Sequence, residues 1–549
     1  MQIYLLELTA VDANGFPQVL RYSTGSGYMT GPKESPANAV YEGRIVSPGT
    51  FNWNCWAPGA TRGTSARTFG VVKLANADGA LDFLKDLGVD GQPLVIKVGD
   101  DQGAYTAFTP LFTGKCRRAD VLWSEVDINL LDYQSDIADR SLQVVKFAGT
   151  NSGSTGLEGI AADLQGKPKP KLRGTAANFS PPCVNSSTLI YQVDDGTALL
   201  PMTIANVWDK RVALTVGVQR ATLALLQSTT PTAGHYDWYA GPEGWYFRLG
   251  STPAGTVTAT VSEGALANRT SVQIALRLLT GEGTVPAALV DSASARTVDA
   301  AKPYEVGFWS DVVETTIGQV LDMVLDSANA CLTNTRTGLF RFGALNDPAL
   351  SPPVATIEQW QIKDATSFSI VGTNDPGTGL RISDPINGQV GTQRYSSDQD
   401  STIGLPVWRI LLSYDHNLTV MDASQLAGAA LTDVNYTGQE YRQVIAANAA
   451  VLNQHLKAPE FTVTTQIHSQ SDAVTEAAAQ LALRSINRVI VTIPVDPSVA
   501  AGISLLSPIR LKLNRFGWNN GKPLLVIGMT EDYGDGPESP ALITLNCWG

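Results

Sequence analysis

Glycine and proline set the scale on which this chain can fold. Fifty glycines and thirty prolines break the 549 residues into short runs. Within those runs apolar and polar residues mostly alternate, the period of a half-buried strand. In "EVDINLLDY" Val126, Ile128 and Leu130 oppose Asp127 and Asn129. In "RVIVTI" Val489, Val491 and Ile493 oppose Arg488, Ile490 and Thr492. "PIRLKLN" and "PLLVIGM" flank "FGWNNGK", where Asn520-Gly521 is expected to supply the positive-φ residues of a tight hairpin. Only three helices stand out by their 3–4 residue spacing or alanine content. They are "VETTIGQVLDMVLDSANACL" (near 313–332), "SVQIALRLL" (near 271–279, with Thr270 or Ser271 as N-cap) and "SDAVTEAAAQLALRSINR" (near 471–487). Helices scattered between strand blocks predict a mainly β chain with α+β parts, not a parallel βαβ enzyme.

A chain this long exceeds one hydrophobic core, and about three to five domains are expected. Breaks in composition at "FAGTNSGSTG", "VSEGALANRT" and "NDPALSPPVA" place the joints. The expected units are a barrel-like β-domain at 1–147 and a small β-rich domain at 148–265. An α+β domain at 266–350 and a C-terminal β-rich domain at 351–549 follow.

The chemistry of catalysis is sparse. There are four histidines, His235, His416, His455 and His468, none within four residues of another, and no HExxH. GxSxG, GxxxxGK[ST] and a strand-following GxGxxG are missing. Five cysteines, Cys55, Cys116, Cys183, Cys331 and Cys547, lie far apart without a CxxC pair and read as buried thiols. No catalytic, metal or cofactor residues are assigned, and the chain is expected not to be an enzyme. The acid pairs Asp100-Asp101, Asp194-Asp195 and Glu531-Asp532 read as solvated turn residues. The aromatics of "HYDWYAGPEGWYFRLG" have two readings: strand faces of a β-domain, or a sugar-stacking surface led by Trp238, Trp245 and Tyr246. "MQIYLLELTA" has no basic segment before it, and no apolar run reaches the ~20 residues of a membrane span. The expectation is cytosolic synthesis without a membrane span.

The net charge of −12 argues against broad duplex binding, since phosphate affinity needs clustered cations. Against that background "LQGKPKPKLRG" (164–174) stands out. Lys167, Lys169, Lys171 and Arg173 occupy alternate positions with no acid between them. Pro168 and Pro170 push their predecessors out of the helical region and lack N–H donors, which excludes a central strand. An extended interdomain strap is expected, its cations facing acids of this chain or a neighbour.

Several stretches together resemble bacteriophage tail-tip and baseplate hub proteins. "TFGVVKLANADGALDFLKDLGVDGQPLVIKVG" (68–99) and "PLFTGKCRRADVLWSEVDINLLD" (110–132) are similar to the N-terminal barrel of that family. "ADLQGKPKPKLRGTAANFSPPCVN", "IANVWDKRVALTVG" and "YFRLGSTPAGTVTATVSEG" are similar to its second domain. "PIRLKLNRFGWNNGKPLLVIGMTEDYGDGPESPALITLNCWG" is similar to its closing domain. The family's "VyDrG" is here "VWDKR", so the turn at Lys210-Arg211 is expected to differ. The resemblance implies two barrel-like β-domains flanking smaller α+β and β domains. It also implies a structural, non-enzymatic protein of the virion, assembled in the host cytoplasm. Its partners would be the tube or distal tail protein, the central fibre or spike, and neighbouring hub subunits in a trimer. A DNA-channel wall that does not capture DNA would be acidic, drawn from "VGDDQG" (98–103) and "QVDDGT" (192–197). The readings left beside the hub are a hexameric distal-tail adaptor, a tail-associated cell-wall hydrolase and a receptor-binding module.

Overall fold

Strand pairing links the first residues of the chain to the last. The computed structural model describes residues 2–57, 60–363, 369–372, 380–383, 406–534 and 541–549. Gln2–Val11 lies between Pro17–Ser23 and Pro93–Asp100. The antiparallel run continues through Thr109–Val121 and Glu125–Leu131 to Phe69–Ala75. Val126, Ile128 and Leu130 point into the core as their alternation predicts. Each such side chain is worth roughly 1.5–3 kcal/mol of burial.

At the other end of the chain, Lys522–Asp532 pairs along one side with Leu542–Trp548. Its other side is shared: the first half meets Pro508–Lys512, and the second half meets Thr50–Asn54 from the N-terminal block. The reason is length. Lys522–Asp532 has 11 residues and Pro508–Lys512 only 5, so half of the longer edge is left for another strand. Gly528 stands at the changeover, where a Cβ would come within 2.3 Å of Asn54 Oδ1. The two terminal β-blocks, expected as separate barrel-like domains, are therefore one hydrogen-bonded network. They also share one core, with Leu6, Val72 and Ile128 in the same cluster as Ile493, Leu524 and Leu545.

Residues 171–263 and 307–310 form a two-sheet sandwich. One sheet runs Val212–Ala213, Met202–Asp209, Val257–Glu263, Lys171–Phe179, Gly307–Ser310. The other runs Cys183–Asn185, Ile190–Asp194, Gly244–Leu249, His235–Gly241, Thr215–Gln219. Phe179, Trp245, Phe247 and Val261 fill the space between them.

A helical layer packs beside the sandwich. Ser271–Arg277 is capped by Thr270, whose side chain accepts from Gln273 N. Ile317–Asp326 starts on a capping box formed by Thr316 and Gln319. That helix is shorter than its apolar stripe, because Asn329 turns the chain at φ +50 and Cys331 and Leu332 belong to the strand Ala330–Asn334. The helix Gln470–Arg484 and the strand Arg409–Tyr414 share this core, which thus crosses the expected boundary at residue 350. The 508–532 hairpin also departs from expectation. Its positive-φ residues are Phe516, Gly517 and Gly521 rather than an Asn520-Gly521 pair. Cys55, Cys116, Cys331 and Cys547 are buried free thiols, and Cys183 is partly buried. Among the described residues no helix is long and apolar enough to cross a membrane.

Candidate functional site

The segment 164–174 leads into the heart of the sandwich. It begins as expected: Phe147 N donates to Lys167 O, and Lys169 N to Val145 O, each at 2.9 Å, so 167–169 runs extended beside 145–147. It does not stay on the surface. From Lys171 the chain enters the nine-residue strand Lys171–Phe179, buried along its whole length and flanked on both sides by other strands. The proline argument holds only for the residues up to Pro170. A surface strap is thus half of the picture, and the other half is a central strand carrying two cations.

Period-two geometry sends Lys171 and Arg173 to the same side. There they are 3 % and 2 % exposed. Lys171 Nζ lies 3.1 Å from Asp195 and 3.5 Å from Glu282, and donates to Thr197 Oγ1 at 3.0 Å. Arg173 pairs with Glu282 and reaches Asp194 at 3.7 Å. Lys169 takes a separate partner, Glu158, at 2.6 Å, with its ammonium 5.4 Å from the Phe147 ring centre. Lys167 is exposed.

The acids are fixed by backbone donors as well as by charge. Asp194 accepts from Leu172 N, Gly196 N and Ala198 N at 2.8–2.9 Å. Burial nevertheless pushes its carboxyl above the usual range, with Arg173 pulling the other way. Glu263 accepts from Gly174 N at 2.6 Å and Leu199 N at 2.7 Å, and it pairs with Arg277. Gly174 sits at φ +74, with Val306 O 2.0 Å from where a Cβ would be, so only glycine fits. A cleft of about 450 Å³ opens beside the cluster, lined by Lys171, Arg173, Thr197, Arg277, Thr280 and Glu282 among others. Three cations meet four acids, each tied to a partner. That arrangement offers no free nucleophile or base; it clamps the loop 194–198 and the helical layer onto one strand.

A second cleft, of about 320 Å³, lies where the sandwich meets the strand Arg409–Tyr414. Lys210 and Arg211 form its hairpin turn, both at positive φ (47° and 67°), without the glycine such turns favour. The arginine has a use there. Its guanidinium lies 4.1 Å from the Trp208 ring centre and 4.9 Å from that of Tyr436, and pairs with Asp433 at 3.2 Å. Across the cleft His468 Nδ1 is 2.9 Å from Asp415, and Arg442 is 3.3 Å from the same carboxylate. Burial pulls the His468 pKa down, but the hydrogen bond and charge of Asp415 outweigh it and hold the imidazole above its usual value. His416 stacks on Tyr441 with ring centres 4.4 Å apart, and burial lowers its pKa. Among the described residues no group of three or more His, Cys, Asp or Glu side chains is placed to hold a metal ion.

The sugar-stacking reading of the aromatics is corrected by burial. Trp245 is 0 % exposed between the two sheets, Tyr246 is 2 % exposed on the other face of its strand, packed with Phe147, Leu164 and Leu226, and Trp238 is half-buried against the inter-sheet core. Strands Gly244–Leu249 and His235–Gly241 are hydrogen-bonded neighbours in one sheet, so their rings divide between its two faces, and both faces are covered. The acids of 192–197 are likewise no channel wall, because Asp194 and Asp195 are consumed by Lys171 and Arg173. Glu531 is not a solvated turn acid either: it is fully buried and pairs with Arg336. Reading the sequence found the cations but missed Asp194, Glu263, Arg277 and Glu282 as their neighbours. The signal available was the "DDGT" of 194–197, whose first acid caps its own turn. Nothing local marks Glu263 or Glu282.

No family model and no curated protein sequence matches the chain. Among solved structures it is similar to a tail protein from Neisseria meningitidis, with a TM-score of 0.38 and 8 % identity over 99 % of this chain and 96 % of that one. It is similar to a 43 kDa prophage tail protein from Shewanella oneidensis, at 0.37 and 7 % over 100 % and 98 %. It is also similar to a prophage tail protein from Listeria monocytogenes, at 0.38 and 7 % over 100 % and 94 %.

Proposed function

We infer that this chain is a structural protein of a bacteriophage tail, a baseplate hub at the tail tip that joins the tube to the central spike or fibre. One observation carries the reading. The stretches that resemble hub proteins at the two ends of the sequence, 68–99 with 110–132 and 508–549, share one core and are joined into one β-platform through Thr50–Asn54, with the sandwich and helical layer inserted between them. A hub must present a broad β-wall to its neighbours while other modules project from it, and three such platforms can match a six-fold tube. The clusters of charge lock modules together, which fits a rigid structural part. The chain would reside in the virion, after assembly in the host cytoplasm, without stable nucleic-acid binding.

Cross-linked mass of isolated tail tips tests this. Three copies per ring is the expected result, six would make the chain a distal-tail adaptor, and absence of the chain from purified tails would overturn the reading. Clearing of peptidoglycan by the purified protein would overturn its non-enzymatic part.

A further inference from the structure

A cavity of about 220 Å³ lies where the terminal platform meets the hairpin formed by Ala330–Asn334 and Phe340–Ala344. Trp53, Ile503, Leu505 and Met529 give it an apolar wall, each of them a member of the platform core. The hairpin supplies the polar part of the lining through Asn334, Arg336 and Arg341. An apolar chamber with a few convergent polar groups is the usual form of a small-molecule site.

Those polar groups do not balance one another. Arg336 is taken up by the fully buried Glu531. Arg341 has no such partner: among the described residues it forms no ion pair, although acids outnumber Lys and Arg by 51 to 39 along the chain. Its Nη1 donates to Ser504 Oγ at 3.0 Å, which fixes the guanidinium on the cavity wall. Two buried donors nearby also lack an acceptor within the chain. Trp53 is 3 % exposed, and its indole N–H has no partner. Asn334 is 4 % exposed; its oxygen accepts from Gln134 N at 3.0 Å, but its Nδ2 donates to nothing. Buried donors of this kind are rare and costly in folded proteins. A cation without an acid, beside N–H groups without acceptors, suits an anionic oxygen brought from outside the chain.

The walls are held in place. Leu506 N donates to Val526 O at 2.7 Å and Val526 N to Ser507 O at 3.1 Å, which ties the loop 503–507 to the strand Lys522–Asp532. Ser504 N donates to Ser507 Oγ at 3.1 Å, steadying the residue that receives Arg341. Gly343 lets hairpin and loop close up, since a Cβ there would stand 1.8 Å from Leu506 Cδ1. Binding therefore needs little ordering. The apolar wall disfavours a bare phosphate, which would lose its hydration without replacement. A carboxylate on a compact hydrocarbon body satisfies both halves of the cavity, and the planar fork of arginine matches it.

We propose that this cavity binds a small organic acid, with its carboxylate on Arg341 and its apolar body against Trp53, Leu505 and Met529. The site depends only on its own walls, so it stands or falls separately from the tail reading. Titration calorimetry of the full chain with benzoate, benzamide and inorganic phosphate tests it. Benzoate should bind at one site per chain with a Kd of about 1 mM or tighter. Benzamide keeps the shape without the charge, and phosphate the charge without the apolar body; each should bind at least about 10-fold more weakly. Arg341→Met should weaken benzoate binding at least about 10-fold. Arg510→Met, at an exposed arginine outside the cavity, should bind benzoate like wild type. Hydrogen exchange on wild type gives a reading without mutation: benzoate should protect the amides of 333–337 and 503–507. The proposal is overturned if benzoate shows no saturable binding up to about 20 mM, which would leave the cavity to water. Benzamide or phosphate binding within about 10-fold of benzoate, or a smaller loss than that in Arg341→Met, overturns it equally. So does loss of binding in Arg510→Met, or protection by benzoate confined to other segments.

Discussion

Lys171–Phe179 and Thr215–Gln219 are strands of the same sandwich, and each reverses the usual distribution of polarity. The first is buried over nine residues and carries two cations; the second is exposed over five and carries no charge. Position in the pairing network explains both. A central strand is covered whatever its residues, so its charges must find partners inside. An edge strand has one open side, so its valines stay wet until something pairs with it. Buried charge here is a solved problem, with Asp194, Asp195 and Glu282 brought in from other segments. Exposed valine is an unsolved one within a single copy.

The comparison breaks most sharply at Arg173. Arg173→Ala leaves Asp194 and Glu282 buried with one cation fewer, and should cost about 3–5 kcal/mol in urea unfolding. Replacing both partners of the pair, as in R173M/E282L, should cost less than the single change, because Glu282 is no longer left buried without its arginine and only Asp194 loses a cation. A single-mutant loss under about 1 kcal/mol would mean that the cluster is solvated and that the contrast between the strands is false.

The prolines before the buried strand come next. Pro168 and Pro170 stiffen the approach to Lys171, with Pro168 paired to Lys146 in an isolated bridge. P168G/P170G should lose about 1–2 kcal/mol through a looser unfolded chain. It should also be cleaved faster near residue 168 in limited proteolysis. Resistance equal to wild type would show that the strand, not the prolines, orders this approach.

His468 tests pairing by pH. A group whose folded pKa is raised stabilises fully below its unfolded pKa, near 6.5, and the contribution is lost as pH rises through the folded value. Asp415 is its partner, with Glu305 adding to the rise and Arg442 opposing it. His468→Gln should therefore cost about 1 kcal/mol at about pH 6 and less at about pH 8. A loss that grows with pH would reverse the assignment.

How much of this was legible in the sequence follows the range of each interaction. Alternation at 125–131 and the caps at Thr270 and Thr316 are local, and each was readable or nearly so from its own neighbours. The pairing of Thr50–Asn54 with Lys522–Asp532 joins residues separated by most of the chain, and no local pattern announces it. The strap shows the boundary between the two kinds. Pro168 and Pro170 correctly exclude a central strand at their own positions, but their influence ends there. Lys171 and Arg173 lie one and three residues beyond Pro170, and what covers them comes from sheet order. The aromatics of 236–247 failed for the same reason: the pattern gives two faces but not which is buried.

The smallest expected effect is the most discriminating for the second strand. In the monomer, Val216 and Val218 already stand in water, so V216K/V218K removes little packing and should shift unfolding by no more than about 0.5 kcal/mol. The same exchange at Val491, fully buried in the terminal platform, should cost several times more. A small loss for V216K/V218K beside a large one at Val491 is what an open edge requires. A loss above about 1 kcal/mol for the double lysine variant at low concentration would mean that these valines pack within their own copy. The edge would then be closed by its own chain, and the two strands would differ in charge alone.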